Sequence, residues 1–348
     1  GVSHRSLHAF PGLHVTLVVT VSTLTSESSC KAKFALFSRA GLPSAAWLNI
    51  GYGAPGRPHI ADLVKILALE TIDDATFEGR SGPAMGPRLF GGHAIAQALL
   101  AASAVEDGAR LPHSMHAHFL KAGSSAHPVR YVVTPLSAGR SFAVRRVDGF
   151  QGETLIFTIT VSFHIEESGY EHTSPAPFPL DIDAALAGLE AWRASDDKSA
   201  SIPIVERLQR RPIEIVPIDP GLLFGSEGRE AKTAVWMRMR DPSGAHPMLQ
   251  RALLGYASDM MFLRNALLPH GIRPGSDTIQ AASLDHAVWF HETPDFDKWH
   301  LFATESPWAG HARGFNRGHF YDLDGRMVAS VSQESLMRPK NHGRKETT

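Results

Sequence analysis

A constant step of 173 residues carries Leu111 onto Leu284, His113 onto His286, His118 onto His291, Arg140 onto Arg313, Phe142 onto Phe315 and Gly152 onto Gly325. The same step lays the turn at Gln151-Gly-Glu on the turn at Asp324-Gly-Arg. No gap is needed, and the matches fall where the order of predicted elements also repeats. A chain built this way is constrained to fold as two copies of one unit, each with its own apolar face to bury.

Each copy reads as a helix among strands. Residues 61–69 suggest a short helix, and 76–82 and 87–90 extended chain. After Gly91-Gly92 comes an alanine-rich apolar run, 93–105, with no Pro or Gly, which predicts a buried helix. Strand-like runs follow at 114–120, 129–136, 140–148 and 154–164. In the last, Leu155, Phe157, Ile159, Val161 and Phe163 fall on one face at period two. The second copy offers extended chain at 233–240 and a long apolar helix at 247–268, ended by Pro269 and Gly271. Strands are predicted at 279–291, 300–306, 313–321 and 327–337, with a hairpin turn at Asp322-Leu-Asp-Gly325 before the last. The order predicts an α+β fold in which a long antiparallel sheet curls around one hydrophobic helix per copy. The expected domains are 61–170 and 231–340. Between them runs a connector, 171–230, with prolines at 175, 177, 179, 203, 212, 217 and 220 and a helix at 183–194. Residues 1–60 are Ser-, Gly- and His-rich, and the first methionine is Met85, so this segment is expected to be peripheral.

Composition removes several classes of function. Lys+Arg 34 against Asp+Glu 35 leaves no basic excess for binding nucleic acid. The single cysteine, Cys30, excludes an internal disulfide and suits a reducing, cytoplasmic setting. No stretch approaches the roughly 18 apolar residues of a membrane span; the nearest, 13–24, is short and interrupted by His14, Thr16, Thr20, Ser22 and Thr23. There is no Walker A, no G-x-G-x-x-G after a strand, no H-E-x-x-H and no G-x-S-x-G, since Gly139-Arg-Ser141-Phe-Ala lacks the last glycine.

Three polar residues sit where apolar ones are expected. Asp259 lies inside the predicted helix, with Gly255, Tyr256, Phe262 and Leu263 three and four residues away. A carboxylate there is costly unless hydrogen-bonded or functional. The alternative is a surface Asp beside the polar stripe of Arg251, Ser258 and Asn265. Gln333 shares a strand face with Met327, Ala329, Val331 and Met337, and its amide needs partners; a structural bond to backbone is the plainer reading. Ser283 alternates with Ala281, Ala287 and Trp289, where an ordinary strand hydroxyl would also fit. His113, His116 and His118 have metal-like spacing, but no carboxylate pair lies nearby, so no metal is expected.

Residues 61–338 resemble the acyl-CoA thioesterase II family. The resemblance is carried by Phe77-Glu-Gly-Arg80, Leu89-Phe-Gly-Gly92 with Gln97-Ala-Leu99, His113-Ser-Met-His116, Gly139-Arg-Ser-Phe142 with Arg145-Arg-Val147, and Ser162-Phe163. In the second copy it is carried by Leu254-Gly-Tyr-Ala-Ser-Asp259, the run from Ser283 through Leu-Asp-His-Ala-Val-Trp-Phe to His291, Ala312-Arg-Gly-Phe315, and Val328-Ala-Ser-Val-Ser-Gln-Glu334. It implies a double hotdog fold and hydrolysis of fatty acyl-CoA to free acid and CoA, with no cofactor. It also implies an Asp, a Gln and a Thr or Ser hydroxyl that activate water. These match Asp259, Gln333 and Ser283; threonine is frequent in relatives at the last position. Thr160 stands where Gln333 does, so the first copy is expected to lack a site. His93 and His164 replace glutamines of the family pattern. Backbone N–H groups at a hotdog helix start are expected to hold the oxyanion, and exposed sheet edges suggest a homo-oligomer. The alternative is a non-catalytic acyl-CoA-binding module of the same fold. A hotdog hydratase is disfavoured because Asp285 and His286 are strand neighbours facing opposite ways.

Overall fold

The computed structural model describes residues 60–81, 87–106, 108–195, 211–221, 230–241, 243–244, 246–272 and 276–340. The expectations for 1–59, including Cys30 and the apolar stretch at 13–24, lie outside the described residues.

The first half comprises α1 (Ile60–Leu67), β1 (Leu69–Thr71), β2 (Thr76–Gly79), α2 (Gly91–Ala104), β3 (Leu111–Phe119), β4 (Val129–Ala138), β5 (Phe142–Gln151) and β6 (Thr154–His164). Helix α3 (Ile182–Ala194) follows, its N-terminus capped by Asp181 through the backbone N–H of Ala184. The second half comprises β7 (Ile213–Pro217), β8 (Lys232–Met239), α4 (Pro247–Ser258), α5 (Arg264–Leu267), β9 (Ile279–Ser283), β10 (Asp285–Phe290), β11 (His300–Gly310), β12 (Arg313–Tyr321) and β13 (Met327–Pro339). Strand β7 lies within the span read from the sequence as connector.

All the strands form one antiparallel sheet in the order β1-β2-β4-β5-β6-β3-β10-β13-β12-β11-β8-β7, with β9 paired to β13. The order is a palindrome of equivalent strands about the β3–β10 pair, and the duplication is therefore a pseudo-twofold axis in space. Across the axis Asp285 pairs with His118 and Val288 with Met115. This is the double hotdog: two units joined edge to edge, each sheet wrapped around a central helix.

Helix α2 is buried around nearly its whole circumference: Ala94, Ile95, Ala96, Ala98, Leu99, Ala101 and Ala102 are buried, and so are the hydrogen-bonded His93, Gln97 and Ser103. Its alanines allow a close approach to α4. At Gly255 on α4 a Cβ would lie 2.9 Å from the Leu99 side chain and 3.1 Å from Ile95. Most buried apolar residues of both halves join in one core that runs from Leu63 to Val331, and Ala266, Leu267, Ile279 and Met337 form a small separate cluster. Among the described residues no helix is long and apolar enough to cross a membrane.

Two predicted elements are divided. The helix expected at 247–268 ends at Ser258; Asp259 caps it, Met261 takes φ +68°, and the chain resumes as α5 and a 3-10 turn, Leu268–His270. Asp259 is therefore at a helix end rather than mid-helix. The strand expected at 279–291 breaks at Leu284 into β9 and β10. Both breaks fall in the stretch 259–284 that joins α4 to β10. In the first half the equivalent joint is the short 105–110.

Candidate active site

Asp259 owes its surroundings to the end of α4. The helix stops one residue earlier, and the carboxylate turns across the junction between the halves to accept the backbone N–H of Gly92, with Oδ2 2.9 Å from the nitrogen. Gly92 belongs to the first turn of α2, where N–H groups lack helical partners and the helix dipole favours negative charge. Two glycines permit the approach. A Cβ on Gly91 would lie 2.6 Å from Asp259 Oδ2, and one on Gly92 would lie 2.3 Å from the backbone oxygen of Tyr256. The left-handed conformation at Met261 is costly for a side chain of that size, by about 1–3 kcal/mol, and it turns the chain away immediately after the carboxylate. Burial pushes the Asp259 carboxyl up to about 7, against the lowering effect of the Gly92 N–H.

Ser283 and Gln333 are brought together by a one-residue bulge. In β9, Ser283 pairs with Ser335 and Ala282 with Leu336. In β10, Ala287 pairs with Ser332 and Val288 with Val331. The register slips by one at Leu284, whose N–H donates to Glu334 O and whose carbonyl accepts from Phe119 N–H, both at 3.0 Å. An uninterrupted strand would place Ser283 on the face of Trp289, which is exposed and meets His116 edge-on. The bulge reverses the alternation, so Ser283 and His286 both face inward with Gln333.

The Gln333 side chain is fully buried. Its Nε2 donates to Ser283 Oγ at 3.1 Å and to Ser335 Oγ at 2.9 Å. Its Oε1 lies 2.7 Å from His286 Nδ1, and His286 Nε2 lies 2.8 Å from Ser258 Oγ. Burial pushes His286 down to about 4, against the Gln333 hydrogen bond, so the ring is neutral near pH 7. Among the described residues Asp259 makes no hydrogen bond to Ser283 or Gln333; the link runs through Ser258, its chain neighbour, and His286. Asp259 and Ser283 are partly exposed, whereas Gln333, His286, Ser258 and Ser335 stand behind them.

Four of these participants were not singled out from the sequence: Gly92, Ser258, His286 and Ser335. The signal for His286 was available, since it alternates with Val288 and Phe290 on an apolar face and repeats His113. The expected backbone donor at the helix start is present, but in this state the Gly92 N–H is bonded to Asp259. His113 pairs with Ser162 and His116 with Trp289, and among the described residues no three His, Cys, Asp or Glu side chains gather as a metal site would require.

Two family models match the chain: acyl-CoA thioesterase over residues 211–336 and acyl-CoA thioesterase N-terminal domain over 80–164. The chain is 33% identical over 281 residues to acyl-CoA thioesterase 2 of Haemophilus influenzae, a match covering 80% of this chain and 97% of that one. It is 34% identical over 297 residues to human acyl-coenzyme A thioesterase 8, covering 82% and 92%. Among solved structures, an acyl-CoA thioesterase II, TesB2, from Mycobacterium marinum superimposes with TM-score 0.64 at 29% identity, covering 80% of this chain and 98% of that one. A hot dog protein from Alicyclobacillus acidocaldarius superimposes with TM-score 0.62 at 20% identity and shares the fold. With both halves matched and curated relatives aligned over nearly their whole length, the chain belongs to the acyl-CoA thioesterase II family.

Proposed function

We propose that this enzyme hydrolyses acyl-CoA to the free acid and CoA at a single site, with Asp259, Ser283 and Gln333 activating water. Asp259 takes a proton from the water as its oxygen adds to the thioester carbonyl carbon. The Ser283 hydroxyl, held from behind by Gln333, orients that water, so that positioning replaces a covalent intermediate. The first turn of α2 offers its positive end to the carbonyl oxygen as negative charge develops there. The tetrahedral intermediate expels the CoA thiolate, which the proton gained from water neutralises.

The observation that carries this reading is the state of Asp259. A carboxylate held by the Gly92 N–H at the start of α2, its pKa raised by burial to about 7, and linked through Ser258 and His286 to the Gln333–Ser283 pair, is suited to general-base work at neutral pH. In the first half Val105 caps α2 where Asp259 caps α4. The strand register puts Phe163 at the position of Gln333, and Thr160, which the constant step of 173 matches to it, is exposed on the outer face because β6 and β13 are offset by 170. That half therefore supplies Gly92 and no second site.

The test is release of CoA thiol from a panel of short to long acyl-CoA thioesters, wild type beside Asp259→Asn. Turnover by the wild type alone supports the reading, and the best chain length names the substrate class. Binding by both proteins with turnover by neither would replace it with a non-catalytic acyl-CoA-binding module.

A further inference from the structure

The histidine behind Gln333 controls more than packing. Two hydrogen-bond arrangements satisfy the buried chain Ser258–His286–Gln333–Ser283. In one, Ser258 donates to His286 Nε2, His286 Nδ1–H donates to Gln333 Oε1, and Gln333 Nε2 donates to Ser283, whose own proton points outward. In the other every step is reversed: Nε2–H donates to Ser258, which passes its proton to Gly255 O at 2.9 Å. The Gln333 amide turns over, and Ser283 spends its proton on the amide oxygen. The serines cannot choose between these, because a hydroxyl both donates and accepts. The choice lies with the imidazole.

The structure places Gln333 Oε1 against the ring and Nε2 against both serines. We propose that His286 is a positioning residue that sets the polarity of this chain, its Nδ1–H holding the Gln333 amide so that the Ser283 proton is left for the substrate or its water. The proposal rests on the assignment of Asp259, Ser283 and Gln333 above.

The internal repeat supplies a control. His113 stands at the position of His286 in the first half, where the strand register puts Phe163 in place of Gln333. Matching Leu99 to Leu253 along the two central helices places Ala104 at Ser258 and Val105 at Asp259. With the amide and the helix-end hydroxyl both absent, the ring is only part-buried and its Nε2 lies 2.8 Å from Ser162 Oγ. The histidine is common to both halves; its enclosure between a helix-end serine and a glutamine occurs only beside the candidate carboxylate. The Phe262 ring also meets His286, edge-on at 5.9 Å between centroids.

The experiment combines kinetics with spectroscopy on the full chain. His286→Phe fills the space without a donor, and His286→Asn restores a donor near the Nδ1 position. His286→Phe should lower kcat about 100-fold, the cost of an ångström-scale misplacement, with KM changed less than about threefold, and His286→Asn should recover most of that loss. The imidazole 15N spectrum of the wild type, with the His286 signals identified by their absence from His286→Asn, should show the Nδ1-protonated neutral ring. Folded His286→Phe with kcat within about twofold of wild type, or a His286→Asn as slow as His286→Phe, overturns the proposal. So does an Nε2-protonated ring, which also decides the matter if His286→Phe fails to fold. If the wild type cleaves no acyl-CoA, the proposed function fails, and the ring tautomer still shows whether the chain runs as described.

Discussion

Gly92, in the first half, donates its backbone N–H to Asp259 Oδ2, in the second, at 2.9 Å. The candidate base is thus held by a group that no side-chain substitution can remove, and the glycine that provides it cannot bear a Cβ without meeting Tyr256 O at 2.3 Å. Replacing Gly92 by Ala should move the α2 start away from Asp259. Activity is expected to fall about 100-fold and stability by about 1–3 kcal/mol, as for overpacking. Thiol release and denaturant unfolding of the same sample check both.

Asp259→Asn preserves shape and removes the base. A loss of about 10²–10⁴-fold in kcat is expected, with an unchanged circular dichroism spectrum. A folded variant with near-normal turnover removes Asp259 from the mechanism.

Because the base works ionised and Asp259 titrates near 7, kcat/KM should rise tenfold per pH unit below 7 and level off above it. A profile from pH 5 to 9 checks the direction; a flat one from 5 to 7 contradicts the assignment.

Stability should show two opposed slopes. Asp259 holds its proton to about 7 when folded, against an ordinary 3.8, so the folded state binds more protons in that window and loses stability as pH rises, by roughly 4 kcal/mol in all. His286 titrates near 4 when folded, against an ordinary 6.5. Here the unfolded chain binds more protons, and stability grows as pH rises from about 4 to 6.5. The two effects oppose each other in the wild type. In Asp259→Asn the falling component is removed and the rising one remains, from His286 and from other histidines lowered by burial such as His93 and His300, so the variant should gain stability relative to the wild type as pH rises and exceed it above pH 7. Urea unfolding at stepped pH measures it, and parallel curves for the two proteins contradict it.

Ser283→Ala should lower kcat about 10- to 100-fold, because the oriented water loses its fixed partner. Ser283→Thr keeps the oxygen and stiffens χ1, and should retain activity within a few-fold. Parallel assays of the two variants separate the hydroxyl from the space it fills.

Much of this fold was legible because its signals are local or repeated. The period-two run at Leu155–Phe163 and the hairpin at Gly325, where φ is +81°, follow from nearest-neighbour chemistry. The duplication exposed the pairing of the halves. The helix end at Ser258 was not legible. No Pro or Gly marks it, and apolar spacing continues through Met260 and Phe262; just past the end Asp259 meets Gly92 of α2, over a hundred residues earlier in the chain, a contact no local pattern announces. The bulge at Leu284 was hidden for the same reason. Nothing in Ala-Ser-Leu-Asp-His announces a change of face, and only the partner strand's register reveals it. The role of His286 was hidden likewise: its sequence neighbour Asp285 faces the other way, and its partners Ser258 and Gln333 lie 28 and 47 residues distant.

The palindromic strand order has a bearing on inheritance. The second half sets Ser258, Asp259 and Gln333 at the candidate centre, whereas the first half has Ala104, Val105 and Phe163 at the matching positions. The Gly91-Gly92 pair of the first half serves the other half, since Gly92 donates to Asp259. A mutation in the copy that holds no carboxylate can therefore silence the one that does, and neither copy could be lost and leave the other at work.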